Sequence, residues 1–223
     1  MVIGARMAEP GASPIKAVIF DFDGTLSNSG DWFLTVVNQL ARRFRFREVG
    51  DDEIEMLRHR TSREVIAYLG ISRWKLPIIA RHVRQLVARN VDQIELFPGT
   101  PGLLATLATG GVRMGLVTSN AADNARAILG AGNAGHFEAW AAGSSLFGKA
   151  RKFRRVLRQM GLAPNEVISI GDETRDIDAA REVGMRTGAV SWGYASEDAL
   201  IALRPDAFFR TPDDIVAYLR DHR

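Results

Sequence analysis

Asp21 and Asp23 stand one residue apart at the end of an apolar run, Ala17-Val18-Ile19-Phe20, and Gly24-Thr25 follow them. In an extended chain residues i and i+2 share a face, so the two carboxylates can project together from a strand's end. Two acids at the carboxyl edge of a buried strand are costly to place unless a metal ion or a reaction needs them there. The pair therefore reads as a metal or acid–base site. A second acidic cluster, Gly171-Asp172-Glu173-Thr174-Arg175-Asp176, follows the apolar run Val167-Ile168-Ser169-Ile170. Between the two, Leu116-Val117 opens into the hydroxyl and amide groups of Thr118-Ser119-Asn120. Gly148-Lys149-Ala150-Arg151-Lys152 adds two lysines. Each residue also has a structural reading. Thr118 and Ser119 can cap a following helix, Asp176 can complement a helix N-terminus, and Asp172 can be a turn residue. Glu173 is open between a further metal-site acid and a solvated helix start.

The elements that must position these groups alternate. From Phe97-Pro98-Gly99 onward the pattern gives a helix over 100–109, a strand over 112–117, a helix over 121–129 and a strand over 137–142. A helix over 149–160, a strand over 167–170, a helix over 174–183 and an extended 186–190 follow. A short strand and a last helix occupy 205–219. Such alternation implies an α/β fold, doubly wound around a mostly parallel sheet with helices on both faces. In such sheets ligands bind at the carboxyl ends of the strands, where the first, second and fourth polar segments would meet with the lysines close by.

Residues 31–96 break the alternation and read as helical throughout. Asp31 can cap a helix over 32–43, Asp51 or Asp52 one over 53–59, and Ser62 one over 63–69 that Gly70 stops. Pro77 opens a helix over 78–90. The expected organisation is a flexible lead-in at 1–14, an α/β core from 15–30 and 97–223, and an inserted all-helical unit at 31–96.

Composition excludes several classes. The 223 residues are 46% hydrophobic and 25% charged, ordinary values for a globular protein. No apolar run approaches the roughly 18 residues needed to span a bilayer, so no membrane partner is expected. The start lacks the basic and apolar regions of a secretory signal. With no cysteine, disulfide and thiolate chemistry is absent, and a cytoplasmic location is expected. The net charge is +3, and the Arg42-Arg43-Phe44-Arg45-Phe46-Arg47 run could form a nucleic-acid patch. Pairing of these arginines with Glu48, Asp51, Asp52 and Glu53 is preferred, because no nucleic-acid motif accompanies the run. No nucleic-acid partner is expected. The histidines share no metal-ligand spacing.

The four polar segments, in this order, resemble motifs I to IV of the haloacid dehalogenase superfamily. Asp21-Phe22-Asp23-Gly24-Thr25 and the helical block after it resemble the phosphoglycolate phosphatase-like branch, with its Rossmann-like core and helical cap. The resemblance runs from Lys16 onward. It implies a phosphatase acting on a small phosphorylated metabolite with Mg²⁺ as cofactor. Asp21 would be the nucleophile that forms an aspartyl-phosphate, and Asp23 the acid and then base. The carboxylates of Asp21 and Asp172 and the backbone carbonyl of Asp23 would hold the metal, with Asp176 as an outer ligand or water-orienting group. Thr118, with Ser119, Asn120 or nearby N–H groups, would bind the phosphoryl oxygens, and Lys149 would offset their charge.

Lys149 fits the family's spacing to Asp172 better than Lys152, although the segment lacks the common Lys-Pro pattern. Asp23 argues against dehalogenation, since dehalogenases lack that second aspartate. A sugar-phosphate mutase and a catalytically idle binding protein of the same fold remain as alternatives, and a monomer or homodimer is expected. Arg58, Arg60, Thr61, Ser62 and Trp74 are candidates for reading the leaving group. Asn28 stands where many relatives carry an acid.

Overall fold

The computed structural model describes residues 13–143 and 148–223; residues 1–12 of the expected lead-in lie outside them. Strand β1 (Ala17–Phe20) is buried along its whole length. Its side chains alternate between two cores, as the period of two requires. Val18 and Phe20 enter a large cluster with Leu104, Leu116, Ile168 and Ile170. Ala17 and Ile19 face the opposite cluster around Phe153, Val156 and Val167.

The chain then enters the helices α1 (Ser29–Phe44), α2 (Ile54–Arg58), α3 (Ser62–Tyr68) and α4 (Leu76–Arg89). No strand lies between Ser29 and Arg89. Two small apolar clusters hold these helices together, one around Trp32, Val87 and Ile94 and the other around Val37, Val49 and Leu69. The two chain crossings into and out of this block pair with each other. Asn28 N donates to Glu95 O at 2.8 Å and Phe97 N to Leu26 O at 3.0 Å.

Beyond the block come α5 (Thr100–Thr109), β2 (Arg113–Val117), α6 (Ala122–Ala134), β3 (Phe137–Ala141) and α7 (Lys149–Met160). β4 (Val167–Gly171), α8 (Thr174–Val183), β5 (Arg186–Val190), α9 (Glu197–Ala202), β6 (Ala207–Phe209) and α10 (Pro212–Asp221) complete the chain. The six strands form one parallel sheet in the order β3-β2-β1-β4-β5-β6. From β1 the chain winds outward to β2 and β3, then returns to β4 on the other side. That reversal opens a crevice at the carboxyl ends of β1 and β4. Phe20 is in register with both Leu116 and Ile170, so the loops after the three strands start at the same level.

Several local expectations need correction. Helix α1 begins at Ser29, which places Asp31 inside its first turn, where it accepts a hydrogen bond from Asn28 Nδ2 at 2.8 Å. Thr61, not Ser62, caps α3, in a reciprocal box with Glu64; this frees the Ser62 hydroxyl for a contact outside the helix. Residues Asp51–Glu53 form a 3₁₀ turn closed by Glu53, which accepts from Gly50 N at 2.9 Å. Helix α6 continues past 129 to Ala134, across a break at Gly130, whose φ of 73° is outside the helical range. The sequence reading passed over α9, too short for its periodicity to register. The arginine run pairs locally: Arg42 with Glu48 at 2.7 Å and Arg47 with Glu53 at 2.5 Å.

Phe153 is fully buried where α7 meets the sheet. Phe153→Ala is expected to cost about 3–5 kcal/mol through lost burial and the cavity left behind. Urea unfolding measures the loss, and a change below about 1 kcal/mol would contradict this packing.

Candidate active site

The polar segments converge at the carboxyl ends of β1, β2 and β4. Asp21 N donates to Ile170 O at 2.9 Å, which continues the β1–β4 ladder one residue past the strand. The Asp21 side chain is thereby held in the crevice, nearly buried, with Oδ1 accepting from Phe22 N at 2.8 Å. Lys149, the first residue of α7, reaches across the strand ends. Its Nζ lies 2.7 Å from Asp21 Oδ2 and 2.5 Å from Asp176 Oδ1. Asp176 is fixed in turn at the start of α8, where Oδ2 accepts from the backbone N–H groups of Asp172 and Glu173, both at 3.1 Å. It therefore serves its helix N-terminus and faces the lysine at the same time.

Asp172 is fully buried. Its Oδ1 accepts from the Thr25 hydroxyl and its Oδ2 from Tyr194 N, each at 2.8 Å. The chain turn at Gly24 makes this packing possible. Gly24 has a φ of 83°, and a Cβ there would lie 2.2 Å from Asp172 Oδ2, so a side chain is excluded both by backbone conformation and by space. Gly171 is bare for the second reason alone, since its Cβ would lie 2.1 Å from Asp176 Oδ2. Carboxylate oxygens of Asp21, Asp172 and Asp176 can lie within 4.8 Å of one another, a spacing a single metal ion can bridge.

Asp23 turns to a different set of partners. Its Oδ1 accepts from Ser29 Oγ at 3.0 Å and Asn120 Nδ2 at 3.2 Å, and its Oδ2 from Thr118 Oγ1 at 3.3 Å. Thr118 Oγ1 also accepts from Asn120 N at 2.9 Å. Ser119 is half-buried and lines the crevice beside them.

Burial dominates the electrostatics. It pushes the Asp21 carboxyl up from 3.8 to about 6; Lys149 pulls the other way and Asp176 adds to the rise. Burial also raises Asp23, against the hydrogen bonds from Ser29, Asn120 and Thr118. Asp172 is raised strongly, by burial first and then by the charges of Asp176, Glu173 and Asp21. Burial works against the Lys149 ammonium, but Asp176 and Asp21 outweigh it and hold the pKa above its usual value. Lys152 does not join this cluster. Its ammonium donates to the backbone carbonyls of Thr118 and Gly143, and burial followed by repulsion from Lys149 lowers it to about 8.

Four contributors escaped the sequence reading. Thr25 orients Asp172, Ser29 holds Asp23, and Tyr194 supplies both an N–H to Asp172 and a hydroxyl 2.8 Å from Ser29 Oγ. Arg175 is the fourth: paired with Glu173 at 2.5 Å, it adds positive charge beside Asp21, and its buried Nε has no partner among the described residues. Thr25 sits inside the first motif and Arg175 inside the fourth, so both were within reach. Tyr194 follows β5 with no motif to flag it. Of the leaving-group candidates, Ser62 donates to Glu173 and Arg58 to Gly193 O at 3.2 Å, which tie the helical block to the core. Arg60 stacks on Tyr68 at 4.7 Å and lines the cavity that holds Asp23, Thr61 caps α3 and lines the cavity that holds Asp21, and Trp74 is exposed and lines neither.

Residues 18–190 match the haloacid dehalogenase-like hydrolase family. A phosphoglycolate phosphatase of Synechococcus elongatus is 32% identical over 91% of this chain and 96% of its own length. The tyrosine-protein kinase PtkA of Mycobacterium tuberculosis is 30% identical over 86% of this chain and 67% of its own. The crystal structure of a putative phosphoglycolate phosphatase from Lactobacillus plantarum superposes with a TM-score of 0.78 at 22% identity. That match covers 92% of this chain and 99% of the other, and it shows a shared fold.

The raised Asp21 carboxyl has a consequence for stability. Its folded pKa of about 6 exceeds the 3.8 of the unfolded chain, so the buried charge destabilises the fold above pH 6. Protonation relieves that cost as the pH falls towards 4. In a chelator, Asp21→Asn is expected to raise thermal stability by roughly 1–3 kcal/mol at pH 7.5, with the gain closing by pH 4. Scanning calorimetry across that range checks this, and a variant less stable than the parent at pH 7.5 would refute it.

Proposed function

The chain belongs to the haloacid dehalogenase-like hydrolase family, and we propose that it is a Mg²⁺-dependent phosphatase that hydrolyses a small phosphorylated metabolite through an aspartyl-phosphate on Asp21. One observation carries this reading: Asp21 lies against Lys149 and near Asp172 and Asp176, while Asp23, two residues on, is held apart by Ser29, Asn120 and Thr118. The two aspartates thus have separate surroundings, as separate roles require.

The donor set suits Mg²⁺. Asp21, Asp172 and Asp176 offer hard carboxylate oxygens within 4.8 Å of one another, and a cation would offset the neighbouring negative charges that, after burial, raise Asp172. The backbone carbonyl of Asp23 would add to the set. When bound, the ion supplies positive charge for the phosphoryl oxygens and favours the ionised form of Asp21.

The protein groups then divide the work. The Asp21 carboxylate attacks phosphorus and the ester P–O bond breaks. Asp23, kept protonated longer than an ordinary carboxyl by burial, gives its proton to the departing oxygen. Water next attacks the phosphorus of the aspartyl-phosphate, and Asp23 takes that water's proton as the P–Oδ bond breaks. Inorganic phosphate leaves and Asp21 is restored. Lys149 offsets charge on the transferring oxygens throughout, and the donors of Thr118, Ser119 and Asn120 bind them. Lys152 supports the Thr118 loop through its carbonyl rather than touching phosphate.

With Mg²⁺ and an aryl phosphate, the protein is expected to release inorganic phosphate, and Asp21→Asn to abolish release while the fold persists. Asp23→Asn should lower kcat by about 10²–10⁴-fold. Near-normal turnover by Asp21→Asn would refute the covalent route. Phosphoryl groups retained on a sugar phosphate, with a bisphosphate required, would indicate a mutase instead.

A further inference from the structure

Two cavities meet at the strand ends, each of ≈ 430 Å³. Asp21, Lys149 and Lys152 line the second and are absent from the first; Asp23 lines the first and is absent from the second. Ser62, Ser119, Thr174 and Arg175 form the shared wall between them. Their linings differ in character. The Asp21 cavity is charged and polar, whereas the Asp23 cavity runs into the helical block between Trp32, Val65, Ile66, Leu76, Ile79 and Val83.

This division separates the two ends of a phosphate monoester. Phosphorus must sit at Asp21, and the ester oxygen must sit at Asp23, which protonates it. The body attached to that oxygen then enters the Asp23 cavity, whose walls in the helical block are mostly apolar, with Arg60 and Arg84 among them and Glu173 and Arg175 on the core side. A volume near 430 Å³ falls in the range of pockets that enclose drug-sized ligands. A glycolate would fill little of it and would leave the apolar surface of Trp32, Ile79 and Val83 uncovered.

We propose that the substrate is the phosphate monoester of an alcohol with an apolar body, a branched alkyl or aromatic group, seated against Trp32, Ile79 and Val83. The inference rests on the phosphatase reading. Helix α4 acts as the floor of the leaving-group site, and its apolar face selects by burial rather than by ion pairing.

The test is a series of esters whose alcohols have similar basicity: ethyl, butyl, hexyl and benzyl phosphate, with 2-phosphoglycolate as the polar member. With Mg²⁺ present, kcat/KM is expected to rise roughly threefold to fourfold per buried methylene. Hexyl and benzyl phosphate should exceed both ethyl phosphate and 2-phosphoglycolate by more than tenfold. Ile79→Asp should reduce the hexyl-to-ethyl ratio at least tenfold. Should that variant fold poorly, calorimetry on the unaltered protein provides a second measurement: hexylphosphonate should bind more tightly than ethylphosphonate, with a more negative heat-capacity change. Equal kcat/KM across the alkyl series, or a preference for 2-phosphoglycolate, would overturn the inference and leave the phosphatase reading intact. Absence of phosphate release from every ester would overturn both.

Discussion

The site depends on one buried ammonium. Lys149 lies 2.7 Å from Asp21, whose carboxyl burial drives towards its neutral form, and 2.5 Å from Asp176. A buried charge without a partner is far more costly than a paired one. The lysine therefore allows acids to be concentrated at the end of β1 and β4 without unfolding the crevice. Even so the compensation is incomplete: Asp21 and Asp172 both remain above the ordinary carboxylate range. An excess of buried negative charge is what a divalent cation would relieve. The acids that cause this shortfall, Asp21, Asp172 and Asp176, are the ones spaced so that they could hold a metal ion.

Holding that lysine in place requires the sheet. Lys149 is the first residue of α7, and the helix is anchored by Phe153, Val156 and Met160 against β1 and its neighbours. Asp21 and Asp172 directly follow two adjacent strands in register, and Asp176 stands in the first turn of α8, so the ladder and the helix start set their spacing. Loop geometry adds detail through Gly24 and Gly171, where bare backbone admits the carboxylates of Asp172 and Asp176. Rigid strands aim the groups, and close packing fixes their distances.

The helical block contributes in another way. It joins the core through paired crossings at 26–28 and 95–97 and touches it again through Ser62, Arg58 and the backbone of Arg84. Its apolar side chains Trp32, Val65, Ile66, Leu76, Ile79 and Val83 line the cavity that holds Asp23. The helical block and the core meet at the hydrogen bond from Ser62 to Glu173.

The strand–acid boundaries before Asp21 and Asp172 were legible because burial on both sheet faces leaves a largely apolar run, and a carboxylate follows its end. The α/β alternation and the helical character of 31–96 followed from periodicity in the same way. Helix ends were less legible: Asp31, Thr61 and Ser62 are all competent caps, and only three-dimensional partners decide among them. Spacing favoured Lys149 over Lys152 without excluding either, since both lie in the first turn of one helix. Tertiary structure distinguishes them, because one ammonium points to carboxylates and the other to backbone carbonyls. Tyr194 had no local signal at all, as its contacts with Asp172 and Ser29 span 22 and 165 residues of chain. The sequence by itself determined which residue types end which strands, since that follows from local hydrophobic pattern. The partners of each charge were decided only by the fold, because electrostatic and hydrogen-bond contacts act over a few ångströms between residues far apart in the chain.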